Sequence, residues 1–154
     1  MDDFNHRKGC MPTLAGAIVG QNNLIGRYKL IDHGTYDNDG SFTPTSNYLK
    51  GELIYSSEGY LSVLIFFNED SETPRKFLAY SGKYEITGID GILHKINICS
   101  NSKRDGTDEF RNYRFEKNVL ILSCDLEGNK RFEAKWDIFK ENLWSLYWLA
   151  ILFS

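Results

Sequence analysis

Gly51-Glu52-Leu53-Ile54-Tyr55-Ser56-Ser57-Glu58-Gly59-Tyr60-Leu61-Ser62-Val63 sets two apolar, β-rich runs around Ser56-Ser57-Glu58-Gly59. That tetrapeptide is hairpin-turn chemistry, with a glycine where the chain turns tightly. Similar units continue to Phe139. Strands are expected at about 25–33, 49–55, 60–67, 76–87, 92–100, 109–115, 119–123 and 131–139, separated by turn-forming segments such as Asp37–Gly40, Gly88–Gly91 and Glu127–Asn129. No helical pattern intervenes, which excludes a βαβ arrangement. A meander of this kind loses its exposed edges by closing. The expectation is an all-β, closed antiparallel up-and-down barrel of about eight strands, wide enough for side chains or one small ligand.

The 154 residues support one domain with a true core. A formal net charge of −3 argues against nucleic acid as a partner, because phosphate binding needs a basic face. Cys10, Cys99 and Cys124 show no metal-ligand spacing, so no metal or other cofactor is expected and the thiols suit a reducing compartment. Residues 1–24 make a poor signal peptide, since acidic residues come first and Pro12 interrupts a weak apolar run. A short N-terminal helix and cytoplasmic residence are expected instead. The barrel is placed at 25–139 and an apolar C-terminal extension at 140–154.

Period-two alternation assigns faces, on the assumption that no strand is bulged. Leu78, Tyr80, Gly82, Tyr84 and Ile86 share one face; so do Ile92, His94, Ile96 and Ile98; so do Phe132, Ala134 and Trp136. In the sixth predicted strand, Tyr113 and Phe115 carry Arg111 inward with them. His94 and Arg111 are therefore the expected inward ionisable side chains. No inward Asp or Glu is evident beside them.

Gly26-Arg27-Tyr28-Lys29-Leu30, Gly51–Tyr55, Glu58–Val63 and Ala79-Tyr80-Ser81-Gly82-Lys83-Tyr84 together resemble motifs of the bacterial and fungal lipocalin-like domain family. His94, Gly106-Thr107, Arg111, Leu120-Ile121-Leu122 and Trp136 fall where that family has the same residues. The resemblance covers about 25–138 and implies a calycin-type barrel. Relatives with such barrels hold small apolar molecules or act as cyclases and isomerases. Only 68–75 occupies the place of a longer, partly helical insertion common in the family.

His94 is either a buried histidine bonded to a carbonyl or tyrosine, or a ligand-facing hydrogen-bonding or proton-transfer group. Arg111 is either a structural cation stacked on Trp136 or a tyrosine, or a fork for an anionic ligand that supplies its counter-ion. Tyr28, Tyr55, Tyr80, Tyr84, Tyr113 and Trp136 form an aromatic lining, as core filling or as ligand walls. Ser62 and Ser81 lack a nucleophile signature, His33 falls in a flexible region, and Lys103-Arg104-Asp105 reads as solvated loop.

The function expected from these residues is binding of a small apolar molecule with an anionic or hydroxyl end. Arg111 would anchor that end, His94 and Tyr84 would hydrogen-bond to it, and the remaining aromatics would wall it. The rivals are a metal-free cyclase or isomerase using His94 and Arg111, and a solid barrel serving as an interaction module. Leu143–Phe153 is nearly all apolar but reaches roughly 17 Å as a helix, too short to cross a membrane core of about 30 Å. It is expected on the barrel wall, in a homo-oligomer, or in a membrane interface.

Overall fold

Gly59 sits at φ 83°, in the left-handed region that a tight hairpin demands and glycine adopts without steric cost. Its N–H donates to the Ser56 carbonyl at 3.2 Å, and the Ser56 N–H to the Tyr60 carbonyl at 2.9 Å. This turn joins the two strands that open the meander. The computed structural model describes residues 24–69 and 74–139. Within them run β1 (Gly26–Tyr36), β2 (Phe42–Pro44), β3 (Lys50–Tyr55), β4 (Tyr60–Phe66), β5 (Phe77–Thr87), β6 (Gly91–Cys99), β7 (Asp108–Glu116), β8 (Val119–Asp125) and β9 (Arg131–Ile138). The expected N-terminal helix and the apolar extension at 140–154 lie outside the described residues.

Each of β3 to β9 pairs antiparallel with the next, and β1 closes the ring. Tyr28 has Leu53 of β3 on one side and Ile138 of β9 on the other. The result is a closed eight-stranded antiparallel barrel with lipocalin-like up-and-down topology, formed by β1 and β3–β9. The three-residue β2 was not expected from the sequence. It pairs with the far half of β1, from Gly34↔Pro44 to Tyr36↔Phe42.

Inward side chains fill the core: Tyr28, Leu30, Leu53, Tyr55, Val63, Ile65, Tyr80, Tyr84, Ile92, Leu120, Leu122 and Trp136 are all buried. Burying a single large apolar side chain contributes about 1.5–3 kcal/mol, so this layer dominates the stability of the fold.

Two bulges overturn the assumption of regular alternation. On β1 the register slips between Leu30 and Asp32, leaving Ile31 unpaired on the outside and 52% exposed. Parity reverses there, so Tyr28 and Leu30 point inward before the bulge and His33 after it. On the β5–β6 pair the slip falls between Ser81 and Gly82. Gly82 faces Ile96 while Ser81 faces Ile98, and a Cβ on Gly82 would lie 1.9 Å from the Lys95 carbonyl oxygen. Only glycine fits that approach. Ile98, expected inside, is consequently outside and 60% exposed, while Cys99 turns toward the core.

Candidate functional site

His94 lies on β6 opposite Tyr84 of β5 and Glu109 of β7, and is fully buried. Its Nε2 is 2.7 Å from the Tyr55 hydroxyl, and its Nδ1 is 3.2 Å from that of Tyr80. Burial first, then the Arg111 and Arg104 guanidiniums, push its pKa down to about 3. A neutral imidazole carries one N–H and one bare nitrogen, so one tyrosine accepts from the ring and the other donates to it. Burial also raises the Tyr80 phenol to about 12 and Tyr55 well above its ordinary value, so both remain protonated near neutrality.

Arg111 is inward on β7, its side chain 14% exposed. Its Nη2 donates to Glu109 Oε2 at 2.5 Å and its Nη1 to the Phe110 carbonyl at 2.8 Å. The expected absence of an inward acid is therefore wrong. Glu109 shares the parity of Arg111 and serves as its counter-ion, two residues away on the same strand. Of the two roles open to Arg111 from sequence, the stacked one falls to a neighbour. Arg104 stacks there, its guanidinium 5.1 Å from the Tyr80 ring centroid.

Arg104 comes from the 3₁₀ turn Ser102–Arg104, which is not the solvated loop that its charges suggest. Its Nε and Nη2 donate to the two oxygens of Glu109 at 2.7 and 2.6 Å, a fork-to-fork pair with strong geometric preference. The loop is fastened to β6. Asp105 accepts from the Cys99 N–H at 2.7 Å, the Gly106 N–H donates to the Ile96 carbonyl at 2.8 Å, and Thr107 Oγ1 donates to the Arg104 carbonyl at 2.8 Å. Burial alone would raise the Glu109 pKa, but Arg111 and Arg104 together outweigh it and hold the carboxyl below its usual range. Two guanidiniums thus share one carboxylate, with side chains only 19% and 14% exposed.

The remaining aromatics divide by position. The Tyr84 hydroxyl, expected at the ligand's polar end, donates instead to the Ser56 carbonyl at 2.7 Å, beside the β3–β4 hairpin. The Tyr28 hydroxyl donates to the Leu24 carbonyl at 2.9 Å. Tyr55 packs edge-on against Tyr28 and Tyr84. Tyr113 lies at the edge of the core opposite Leu122. Trp136 is buried between Leu30 and Leu120, and its Nε1–H has no hydrogen-bond partner among the described residues.

Sequence reasoning placed His33 in a flexible region, but the β1 bulge turns it inward. Its Nδ1 is 2.7 Å from Thr45 Oγ1, and its ring packs against Phe67 and Phe132. Burial lowers its pKa to about 4, against the opposing effects of a backbone hydrogen bond and Asp32. The signal missed was Arg104-x₄-Glu109-x-Arg111, with one carboxylate between two arginines at a loop–strand junction. The strand parity of Glu109 was legible, but the return of the loop was not.

A groove of about 550 Å³ lies on the outer wall, where Tyr60, Lys83, Lys95 and Asp108 form one cross-strand row above Gly82. None of the eight side chains expected to bind a ligand lines it. Among the described residues, no cluster of His, Cys, Asp or Glu is arranged to hold a metal ion, and no helix is long and apolar enough to cross a membrane.

No family model matches the chain. No curated protein matches it either. Among solved structures, it is similar to Japanin from Rhipicephalus appendiculatus bound to cholesterol, at 17% identity over 74% of each chain, with a TM-score of 0.42.

Proposed function

We propose that the barrel binds a small, mostly apolar molecule carrying an anionic or hydroxyl end, with Arg111 and Arg104 receiving that end. The supporting observation is charge imbalance in a desolvated place. Among the described residues, Arg104 and Arg111 share Glu109 alone, His94 beside them is neutral, and the tyrosines are held protonated. One positive charge is left over where solvation is poor, and an anion there would neutralise it. The unpartnered indole N–H of Trp136 offers a further donor to a polar atom. Tyr28, Tyr55 and Tyr113 would supply the apolar walls, and Tyr80 a hydroxyl close to His94. Tyr84 leaves the polar set, because its hydroxyl is already committed.

The arrangement favours binding over acid–base turnover. A histidine with a pKa of about 3, both ring nitrogens facing tyrosine hydroxyls, is poorly placed to exchange protons with a substrate near neutral pH. The resemblance to bacterial and fungal lipocalin-like domains is compatible with this reading, as is cytoplasmic residence.

Native mass spectrometry of freshly purified protein, followed by calorimetry with a long-chain carboxylic acid and the matching primary alcohol and methyl ester, tests the proposal. A co-purified small molecule, and the order acid, alcohol, ester in decreasing affinity, are the expected results. Equal affinity for acid and ester would remove the arginines from the site. No binding of any of the three would leave the barrel as a filled core.

A further inference from the structure

The outer wall carries its own apolar feature. Ile54 of β3, Leu64 of β4 and Phe77 of β5 are 39%, 36% and 50% exposed. Leu64 lies opposite Glu52 and Ala79, so Ile54 and Phe77 are its diagonal neighbours on the two flanking strands. Diagonal neighbours on one face are about 7–8 Å apart, within reach of large side chains. The stripe ends at Phe66, whose ring lies 5.9 Å from that of Phe77 and carries the Arg75 guanidinium at 3.8 Å. Isolated outward hydrophobics need no explanation, whereas a connected stripe across three strands offers a surface on which an apolar segment can dock.

The path of the chain points to the occupant. After β9 the Phe139 N–H donates to the Arg27 carbonyl at 2.8 Å, and Arg27 lies directly opposite Ile54. The chain therefore leaves the barrel at the near end of the stripe. Polar Lys140-Glu141-Asn142 comes next, and then Leu143-Trp-Ser-Leu-Tyr-Trp-Leu-Ala-Ile-Leu-Phe153. From β1 to β5 is three strand spacings, about 14 Å. Even coiled as a helix, its shortest regular form, the apolar segment spans roughly 17 Å.

We propose that Leu143–Phe153 docks on the outer wall of its own barrel, across Ile54, Leu64 and Phe77. The match is of apolar surface to apolar surface, with length and point of departure both sufficient. Lys140–Asn142 would pass the exposed Arg27–Glu52 ion pair, where polar residues are at home. This inference concerns the outside of the barrel and is independent of the interior site.

The test is a photo-crosslink in the full chain, with p-benzoylphenylalanine replacing Tyr147. The expected product runs at the mass of one chain and maps by peptide sequencing to 53–66 or 77–80. It is lost in Leu64→Lys and in Phe77→Lys, whose outward positions leave the buried core unchanged. A product of two chains would overturn the proposal in favour of an oligomer. Crosslinking only to lipid in phosphatidylglycerol vesicles would overturn it in favour of a membrane surface. An intramolecular product on another wall, or one that survives both substitutions, would also overturn it.

Discussion

Two carboxylates in this barrel are each surrounded by cations, with different consequences. Glu109 is held by Arg104 and Arg111 at 2.5–2.7 Å, in an inward cluster whose partners are nearly closed to solvent. Glu133, on the outer face of β9, is itself 2% exposed but has Arg114, Arg131 and Lys135 at 3.3, 3.5 and 3.8 Å, with side chains 45%, 47% and 30% exposed. Both sets carry more positive than negative charge. Outside, water absorbs the surplus and the long pairs are weak. Inside, the pairs are short and oriented and their cations have far less access to water, so the surplus is screened less. Location rather than composition separates a solvated charge cluster from a candidate site.

The largest effect should separate the two acids. Glu109→Gln leaves two guanidiniums buried without a carboxylate and should cost about 3–5 kcal/mol of stability. Glu133→Gln leaves cations that water already solvates, at pairs of 3.3–3.8 Å, and should cost less than Glu109→Gln. Chemical denaturation of both variants checks this, and equal losses would break the contrast.

The next effect is on affinity. Arg111→Ala should weaken binding of the carboxylic acid by about 1.5–3 kcal/mol, the value of a hydrogen bond to a charged group, while Arg114→Ala leaves it unchanged. Because Arg104 still pairs with Glu109, Arg111→Ala should unfold less readily than Glu109→Gln. Calorimetry and thermal melting on the same samples resolve both comparisons.

The two inward histidines predict a pH dependence that the outer cluster cannot produce. Their folded pKa values, about 3 for His94 and about 4 for His33, lie below the ordinary 6.5. Below 6.5 the unfolded chain binds protons that the folded chain refuses. Stability is therefore complete above that pH and declines as pH falls toward 4 and then 3. Each histidine contributes a slope of about 1.4 kcal/mol per pH unit inside its window. Between pH 6.5 and 5 carboxylate protonation contributes little, so His33→Gln, with its hydrogen bond to Thr45 largely kept, should reduce the slope there. An unchanged slope would place that proton elsewhere.

The smallest effect concerns Tyr84. Tyr84→Phe removes one hydrogen bond to the Ser56 carbonyl and should cost about 1 kcal/mol without changing affinity for the carboxylic acid. A loss of affinity would return Tyr84 to the polar end of the site.

Much of this barrel is written in local patterns. Strand positions, the Ser56–Gly59 hairpin, and the inward faces carrying Tyr80, Tyr84, His94, Arg111 and Trp136 follow from a period of two, which any short stretch carries by itself. Ring closure was legible too, because a long meander without helices has few other ways to cover its edges. Ile98 and His33 were misplaced because a bulge belongs to a pair of strands rather than to one. The β5–β6 slip leaves Asn97 unpaired on β6, where the Lys95 carbonyl comes close to Gly82, a meeting no single strand encodes. Tertiary structure alone decided the chemistry of the interior. It folded the Ser102–Arg104 turn back onto Glu109 and spent the Tyr84 hydroxyl on Ser56. Alternation tells a side chain which side of the sheet it is on, but its partners come from strands and loops that meet only when the barrel closes.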